Sequence, residues 1–114
     1  MANLTGFKRD NQGAYIEKHP SANIQYGLDF NDYINSGDQV VTATVAIESI
    51  TGDSSPLALP TDASTDVVVA TNVVNIRLHN GTSGNVYNVD VTVTTSNGDT
   101  DVRRFRIVVG EKHL

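Results

Sequence analysis

The sequence predicts an all-β domain, built as two packed antiparallel sheets and preceded by an extended arm. Valine and threonine are abundant, and these β-branched residues lose rotamer freedom in helices but pack well on pleated surfaces. Several segments alternate apolar and polar side chains with a period of two, which is the pattern of a half-buried strand. Short turn signals separate these segments, and about seven strands in roughly 100 residues favour a sandwich over a barrel.

Length, charge and cysteine content limit the classes of protein to which the chain can belong. Its 114 residues suffice for one domain with its own core. A net charge of −5 speaks against general nucleic-acid binding, which requires a basic surface for phosphate contacts. The absence of cysteine excludes disulfides and thiolate metal sites. No apolar run approaches the roughly 20 residues that cross a bilayer, and no secretory signal is recognisable, so we expect no membrane partner and synthesis in a reducing cytosol.

Residues 1–20 are predicted to form an extended N-terminal arm, and residues 21–114 to form the sandwich domain. Glycine, asparagine and charged residues are interspersed in the arm without a regular period, so it has too little apolar surface to order itself. We therefore expect the arm to lie on a partner. A loose terminus, or a segment folded back on its own domain, is the open alternative. The predicted partner contacts of the arm are Leu4, Phe7, Lys8, Arg9, Tyr15 and Ile16.

A first strand and a short turn are predicted at the start of the domain. Residues 24–30 have the composition of a strand. Asp29 is placed to cap a single helical turn, and Gly37 is placed to end it in a left-handed conformation. This turn directs three apolar side chains to the core, namely Phe30, Tyr33 and Ile34.

A second strand is predicted over residues 39–48, and a long loop follows it. The strand alternates with a period of two, which predicts that one face is buried. Residues 49–65 are rich in serine, proline, aspartate and glycine. They indicate a loop with a brief edge strand, because proline cannot donate to a central ladder. The side chains assigned to the buried face of the strand are Val41, Ala43, Val45 and Ile47.

Four further strands complete the predicted sandwich. Val67–Ala70 and residues 73–79 form two of them, and the other two follow residue 86 and residue 99. The dipeptide Asn97-Gly98 lies between the last two and is a strong hairpin signal, because a type I′ turn requires positive φ at both positions. The side chains of the last two strands that are predicted to face the core are Tyr87, Val89, Val91, Val93, Phe105, Ile107 and Val109.

Residues 83–87 are predicted to form the tyrosine corner of an immunoglobulin-like sandwich. In such domains a tyrosine begins the penultimate strand after a tight polar turn, and its hydroxyl bonds back to the backbone of that turn. Ser83, Gly84 and Tyr87 have this layout. A glycan acceptor at Asn80 is disfavoured because there is no secretory signal. A phosphate cradle is disfavoured because a strand, not a helix, follows the glycines.

Three arginines are further candidates for contact with a partner. Arg104 and Arg106 point outward from the last predicted strand, and Arg77 lies on the polar face of another. They form one basic patch if the two strands are neighbours, and arginine is favoured at interfaces for its forked donors. The alternative is a solvated edge whose charge discourages edge-to-edge pairing.

No group of residues has the spacing of a catalytic or metal site. There is no nucleophile elbow, and the histidines lack zinc spacing. The paired aspartates do not match a calcium loop, and we expect neither enzyme activity nor a cofactor. A remote alternative is a small glycan-binding module or hydrolase that uses the loop of residues 49–65.

Two segments of the chain resemble a family of small structural proteins of tailed bacteriophages. One is KHPSANIQYGLDFNDYINSGDQV, a lysine-proline segment with an aromatic-acidic turn. The other is NGTSGNVYNVDVTVTTSNGDTDVRRFRIVV, which joins polar turns, a tyrosine strand and an arginine-bearing final strand. The resemblance covers residues 18–109 and implies a virion component with an immunoglobulin-like domain and no chemistry of its own.

The resemblance implies two possible roles in the virion. In our main expectation, many copies act as a cement or decoration protein on the capsid surface, after synthesis in the bacterial host cytoplasm. Their partner is then the major capsid protein, and copies of the chain also associate with one another as a homo-oligomer. In the alternative, a few copies act as an interaction module of the tail, the connector or a fibre.

Overall fold

The computed structural model describes residues 7–111, and these residues form two β-sheets that pack face to face. The predicted all-β sandwich is confirmed. Helical structure in this range is limited to a 3₁₀ turn at Asn31–Tyr33 and a short helix α1 at Ala63–Asp66. The strands are β1 (Lys8–Asp10), β2 (Gly13–Lys18), β3 (Ile24–Asp29), β4 (Val40–Ile47), β5 (Val67–Ala70), β6 (Val73–Leu78), β7 (Val86–Thr95) and β8 (Thr100–Val109).

Within the described residues, the two sheets contain five and three strands. The larger sheet has the order β1-β2-β8-β7-β4, and the smaller has the order β3-β6-β5. All pairings are antiparallel except that of β2 with β8, which run parallel.

The core lies between the two sheets and consists mainly of alternate residues of three strands, β6, β7 and β8. Val89, Val91 and Val93 of β7 have no solvent exposure, as the alternation of this strand predicts. Burial of this apolar surface is the main favourable term in folding. The other buried apolar residues are Tyr26, Phe30, Val40, Leu57, Val74, Ile76, Leu78, Tyr87, Phe105, Ile107 and Val109.

Strand β4 departs from the predicted alternation at its start. The register of β4 with β7 shifts between Val40 and Thr42, so that Val40 is buried while Val41 is 57% exposed. A bulge inserts one residue into a ladder and thereby exchanges the faces on either side of it. The prediction that Val41 faces the core is therefore wrong, whereas Ala43 and Val45 do pack against the core.

The short turn after β3 forms at the predicted place, with two differences: its N-cap residue is Phe30 and not Asp29, and Tyr33 is not in the core. The Asp29 carboxylate accepts a hydrogen bond of 2.7 Å from the backbone amide of Asn31, and Phe30 is 1% exposed. Tyr33 was expected in the core but is 40% exposed, because the turn is a single 3₁₀ turn that leaves its ring at the surface. The guanidinium of Arg103 lies 4.1 Å from the centre of that ring.

The segment predicted as an arm lies, in its described part, on the sheet of its own domain. β1 pairs with β2, and β2 pairs with β8 from Arg106 to Val109. The Phe7 ring makes edge-to-face contacts with Phe105 and Tyr26, so this expected anchor packs within the chain. This is the alternative in which the segment folds back. Leu4 lies outside the described residues.

A buried carboxylate joins the start of β4 to the turn between β7 and β8. Asp38 is 5% exposed and accepts hydrogen bonds from the Ser96 hydroxyl (2.6 Å), the Gln39 amide (2.8 Å) and the Asn97 amide (3.1 Å). These bonds, that of Ser96 foremost, lower the pKa of Asp38 from 3.8 to about 2. Because the folded pKa is depressed, the stabilisation is present above pH 3.8 and is lost as the pH falls through about 2.

We expect the substitution Asp38→Asn to lower the melting temperature at neutral pH and to flatten its acid dependence. The asparagine side chain has no charge to lose, so the difference between wild type and variant should shrink between pH 4 and pH 2. Circular dichroism melts over pH 2 to 7 measure this difference. A constant difference over the whole range would show that Asp38 is not responsible for the acid sensitivity.

Candidate protein interface

The larger sheet presents an outer face that is formed by five strands of the described chain. It faces away from the smaller sheet, and its side chains come from all five strands. Threonines of β4 and β7 occupy one side, where Thr42 pairs with Thr94 and Thr44 pairs with Thr92. Charged side chains and Tyr15 occupy the other side. We call this surface the outer face; its members include Lys8, Asp10, Tyr15, Glu17, Val86, Asn88, Asp90, Val102, Arg104 and Arg106.

Arg104 lies near the middle of the outer face, in a forked ion pair with Asp90. The two residues are direct partners across β7 and β8. The Arg104 Nε donates to Asp90 Oδ1 at 2.7 Å, and Nη2 donates to Oδ2 at 3.0 Å. The hydrogen bonds from Arg104 lower the pKa of Asp90. This bidentate geometry fixes both side chains more firmly than a single contact does.

Arg106 connects β8 with the hairpin of β1 and β2. Its Nη2 donates to Asp10 Oδ1 at 2.5 Å and to the Gly13 carbonyl at 3.2 Å. The guanidinium also lies 5.1 Å from the centre of the Tyr15 ring. The pKa of Asp10 is lowered, first by the Gln12 backbone amide and then by Arg106. Arg106 therefore holds the N-terminal hairpin against the sheet.

The predicted basic patch does not form, because its arginines lie on opposite sides of the sandwich. Arg104 and Arg106 belong to β8 of the larger sheet, and Arg77 belongs to β6 of the smaller one. Arg77 instead donates from Nη1 to the Asn23 side chain at 3.2 Å. Which strands share a sheet depends on the topology of the whole chain, and the alternation within each strand does not contain that information.

The predicted contact residues of the N-terminal segment separate into two groups. Lys8 and Tyr15 lie on the outer face, where the Lys8 ammonium is 3.6 Å from a Glu17 carboxylate oxygen. Phe7 and Ile16 pack against the core. Arg9 is exposed and lines a cavity beside β8.

The predicted corner residues surround a hydrogen-bonded tyrosine. Tyr87 has no solvent exposure, and its hydroxyl accepts a bond of 3.0 Å from the Thr82 backbone amide. Gly84 has φ +93°, and its amide donates to the Val109 carbonyl at 2.8 Å. Ser83 is exposed in the turn. The hydroxyl of Tyr87 also donates to the Asp53 carboxylate.

Asp53 is a residue of the corner that sequence reasoning missed. It lies in the loop after β4 and also accepts a hydrogen bond of 2.5 Å from the Thr82 hydroxyl. The hydrogen bonds from Thr82 and then Tyr87 lower the pKa of Asp53. The signal in the sequence is weak, since Gly52-Asp53 is one of several turn dipeptides in this loop.

Within residues 7–111, no group of three or more histidine, aspartate or glutamate side chains is placed to hold a metal ion. None of the helices within this range is long and apolar enough to cross a membrane.

The fold and this surface define a small β-sandwich domain with a flat, charge-paired outer face. A family model described as "Podophage GP4 fiber-tail adaptor protein gp77" matches residues 18–108, and the chain belongs to this family. No curated protein matches the chain. The family places the chain among structural proteins of the phage virion. The main expectation of a capsid cement protein is not supported by this match, whereas the tail-associated alternative agrees with it.

Proposed function

We propose that the chain is a non-enzymatic adaptor that joins the fibres of a phage to its tail. The observation that carries this proposal is the family match, which spans residues 18–108 and so covers the sandwich from β3 to β8, without the N-terminal hairpin of β1 and β2. The partners are then a tail protein and a fibre protein, and the location is the tail. The match gives no support to a contact with the major capsid protein.

The outer face has the features of a surface that binds another protein. Its charges are paired within the chain, in Lys8 with Glu17, Arg104 with Asp90, and Arg106 with Asp10. A partner that covers such a face does not bury an unpaired charge, and burial of an unpaired charge is strongly unfavourable for binding. Exposed valines add apolar area, since Val86 is 44% exposed and Val102 is 54% exposed.

An adaptor requires two separate surfaces, and a sandwich supplies them on its opposite sides. The smaller sheet presents Gln25 opposite Arg77 and Gly27 opposite Asn75 on its own outward side. A partner on this side does not compete with one on the outer face. The two sheets therefore allow simultaneous binding of a tail protein and a fibre protein.

Deletion of the gene from the phage that encodes the chain should give particles with filled heads and tails but without fibres. Electron microscopy measures fibre occupancy, and addition of the purified chain should restore fibres in the presence of fibre protein. A cement protein would instead leave fibres in place and lower the thermal stability of the shell. Fibres at normal occupancy on particles that lack the chain would contradict the proposal.

Two matched variants in the same assay test the use of the faces. Thr92→Arg places a cation on the outer face, and Asn75→Arg places one on the outward side of the smaller sheet. Each residue is only partly buried and points away from the core, so both variants should fold. If each face binds one partner, each variant should lose one partner and keep the other in pull-down assays with purified tails and purified fibres.

A further inference from the structure

Strand β8 is paired along its full length on one side and only along half of it on the other. β7 pairs with β8 from Thr100 to Val108. β2 pairs with it only from Arg106 to Val109, because the chain turns away into the hairpin with β1. Within the described residues, no strand pairs with the side of β8 next to residues 100–105. We call this site the β8 gap.

The backbone groups that face the β8 gap follow from the hydrogen bonds at the ends of the strand. The Val109 amide donates to the backbone carbonyl of Asn85, just before β7. The Gly110 amide donates to the backbone carbonyl of Lys18 in β2. Neighbouring residues of a strand direct their backbone groups to opposite sides. The N–H and C=O groups of Val102 and Arg104 therefore point into the gap. Unpaired backbone groups of this kind are a template for a further strand.

A cavity of about 140 Å³ opens at the same place. Leu28, Phe30 and Phe105 give it apolar walls, and Ala14 closes the side next to β2. The gap thus combines unpaired backbone groups with a pocket that can receive a side chain.

The charge of this cavity is opposite in sign to that of the chain. Three arginines and one aspartate line it, whereas the chain carries a net charge of −5. Arg103 is paired with Asp101, and Arg104 is paired with Asp90. Arg9 is exposed, and it has no ion-pair partner among residues 7–111. It is thus available to an acidic group that enters the gap.

Three of the four edge strands lack this combination, and the fourth, β3, lines the same cavity with Leu28 and Asp29. β1 has three residues, all of them charged and exposed, which is a common way to block edge pairing. β5 has only four residues. β4 is longer, but the cavity beside it has no arginine or lysine in its lining.

We propose that the β8 gap binds an extended segment of a partner protein, which adds to the larger sheet as a strand beside residues 100–105. The segment carries an apolar side chain for the cavity and an acidic side chain for Arg9, two positions apart so that both point inward. Six residues of strand extend over about 20 Å at roughly 3.3 Å each. This inference rests on the proposed adaptor function and names the kind of contact by which one partner is held.

The probes for this site are overlapping 15-residue peptides that tile the fibre and tail proteins of the same phage. The purified full chain is titrated with each peptide and followed by amide NMR and hydrogen exchange. A binding peptide with the expected pattern should slow exchange of the Val102 and Arg104 amides by at least tenfold. The Arg103 amide should change little, because it already faces β7. Failure of every peptide to protect Val102 and Arg104 would overturn the proposal.

Two variants test the backbone and charge contributions separately. Val102→Pro removes an N–H that faces the gap and is not used by β7, so the fold should be retained. Arg9→Glu reverses the free cation at an exposed position. Each should weaken peptide binding at least tenfold, whereas Arg77→Glu, with the same charge change on the other sheet, should not. Unaltered binding by Arg9→Glu would overturn the proposal even if Val102→Pro does not fold.

The same variants separate this proposal from the adaptor function. If the deletion phage lacks fibres and Arg9→Glu restores them as well as wild type does, the adaptor function stands and the β8 gap is not its contact. If fibres are present without the chain, the adaptor function itself fails.

Discussion

Replacement of Tyr87 by alanine is expected to lower the free energy of unfolding by about 4 kcal/mol, as is typical of a large aromatic side chain lost from a core. The Tyr87 side chain has no solvent exposure and lies between β7 and the loop that contains Asp53. The total stability of a domain of this size is about 5 to 15 kcal/mol, so the substitution should remove a large share of it. Urea denaturation followed by circular dichroism gives the value.

Tyr87→Phe is the control that separates packing from hydrogen bonding. The phenyl ring keeps the apolar contacts but leaves the Thr82 amide and the Asp53 carboxylate without the hydroxyl. Loss of a hydroxyl from such a network costs about 1 to 3 kcal/mol. A Tyr87→Phe protein as stable as wild type would show that the corner is held by packing alone.

Replacement of Gly81 by alanine is expected to lower the free energy of unfolding by about 3 kcal/mol, from two effects that add. Gly81 has φ +104°, a conformation that costs a residue with a Cβ about 1 to 2 kcal/mol. A Cβ at this position would also lie 2.8 Å from Cγ2 of Val109, and overpacking of this kind costs about 1 to 3 kcal/mol.

Gly98→Ala is the matched control for this substitution. Gly98 has φ +91° in the turn between β7 and β8, but a Cβ there meets nothing within 4 Å. It should therefore cost only the conformational part, about 1 to 2 kcal/mol. Chemical denaturation of both variants measures the difference, and equal losses would show that Val109 moves aside without cost.

The parts of the fold that the sequence predicted well are those with local signals. β7 alternates regularly over ten residues and β8 does so from Phe105 to Val109. Asn97-Gly98 marks the turn between them, although of these two residues only Gly98 has the positive φ that a type I′ turn requires at both. The hydrogen bond of Asp29 before the 3₁₀ turn is likewise local, since donor and acceptor are two residues apart. In each of these cases the pattern and the contact that it predicts lie within one short segment.

The parts that the sequence did not predict depend on contacts between distant residues. The pairing of β2 with β8 brings Tyr15 beside Arg106. The N-terminal segment has no regular alternation of apolar and polar residues from which this pairing could be predicted. The bulge at Val40 reverses two positions of an otherwise regular strand. The hydrogen bond between Asp53 and Tyr87 joins residues 34 positions apart in the sequence, and nothing in the sequence around either residue indicates its partner.

For the candidate interface, the sequence predicted the outward direction of single side chains but not how these side chains are arranged relative to one another. The alternation of β8 correctly placed Arg104 and Arg106 outward, but it gave no indication that Asp90 and Asp10 neutralise them. The separation of Arg77 from these residues followed from the assignment of strands to sheets. Surfaces that join several strands are therefore visible only once the topology is known.

A single-particle reconstruction of the tail of the phage that encodes the chain is the most direct test of the adaptor function. It should show the eight-stranded sandwich at the joint between tail and fibre, in contact with both. Density for the sandwich on the capsid lattice, with none at the joint, would contradict the account and restore the cement hypothesis.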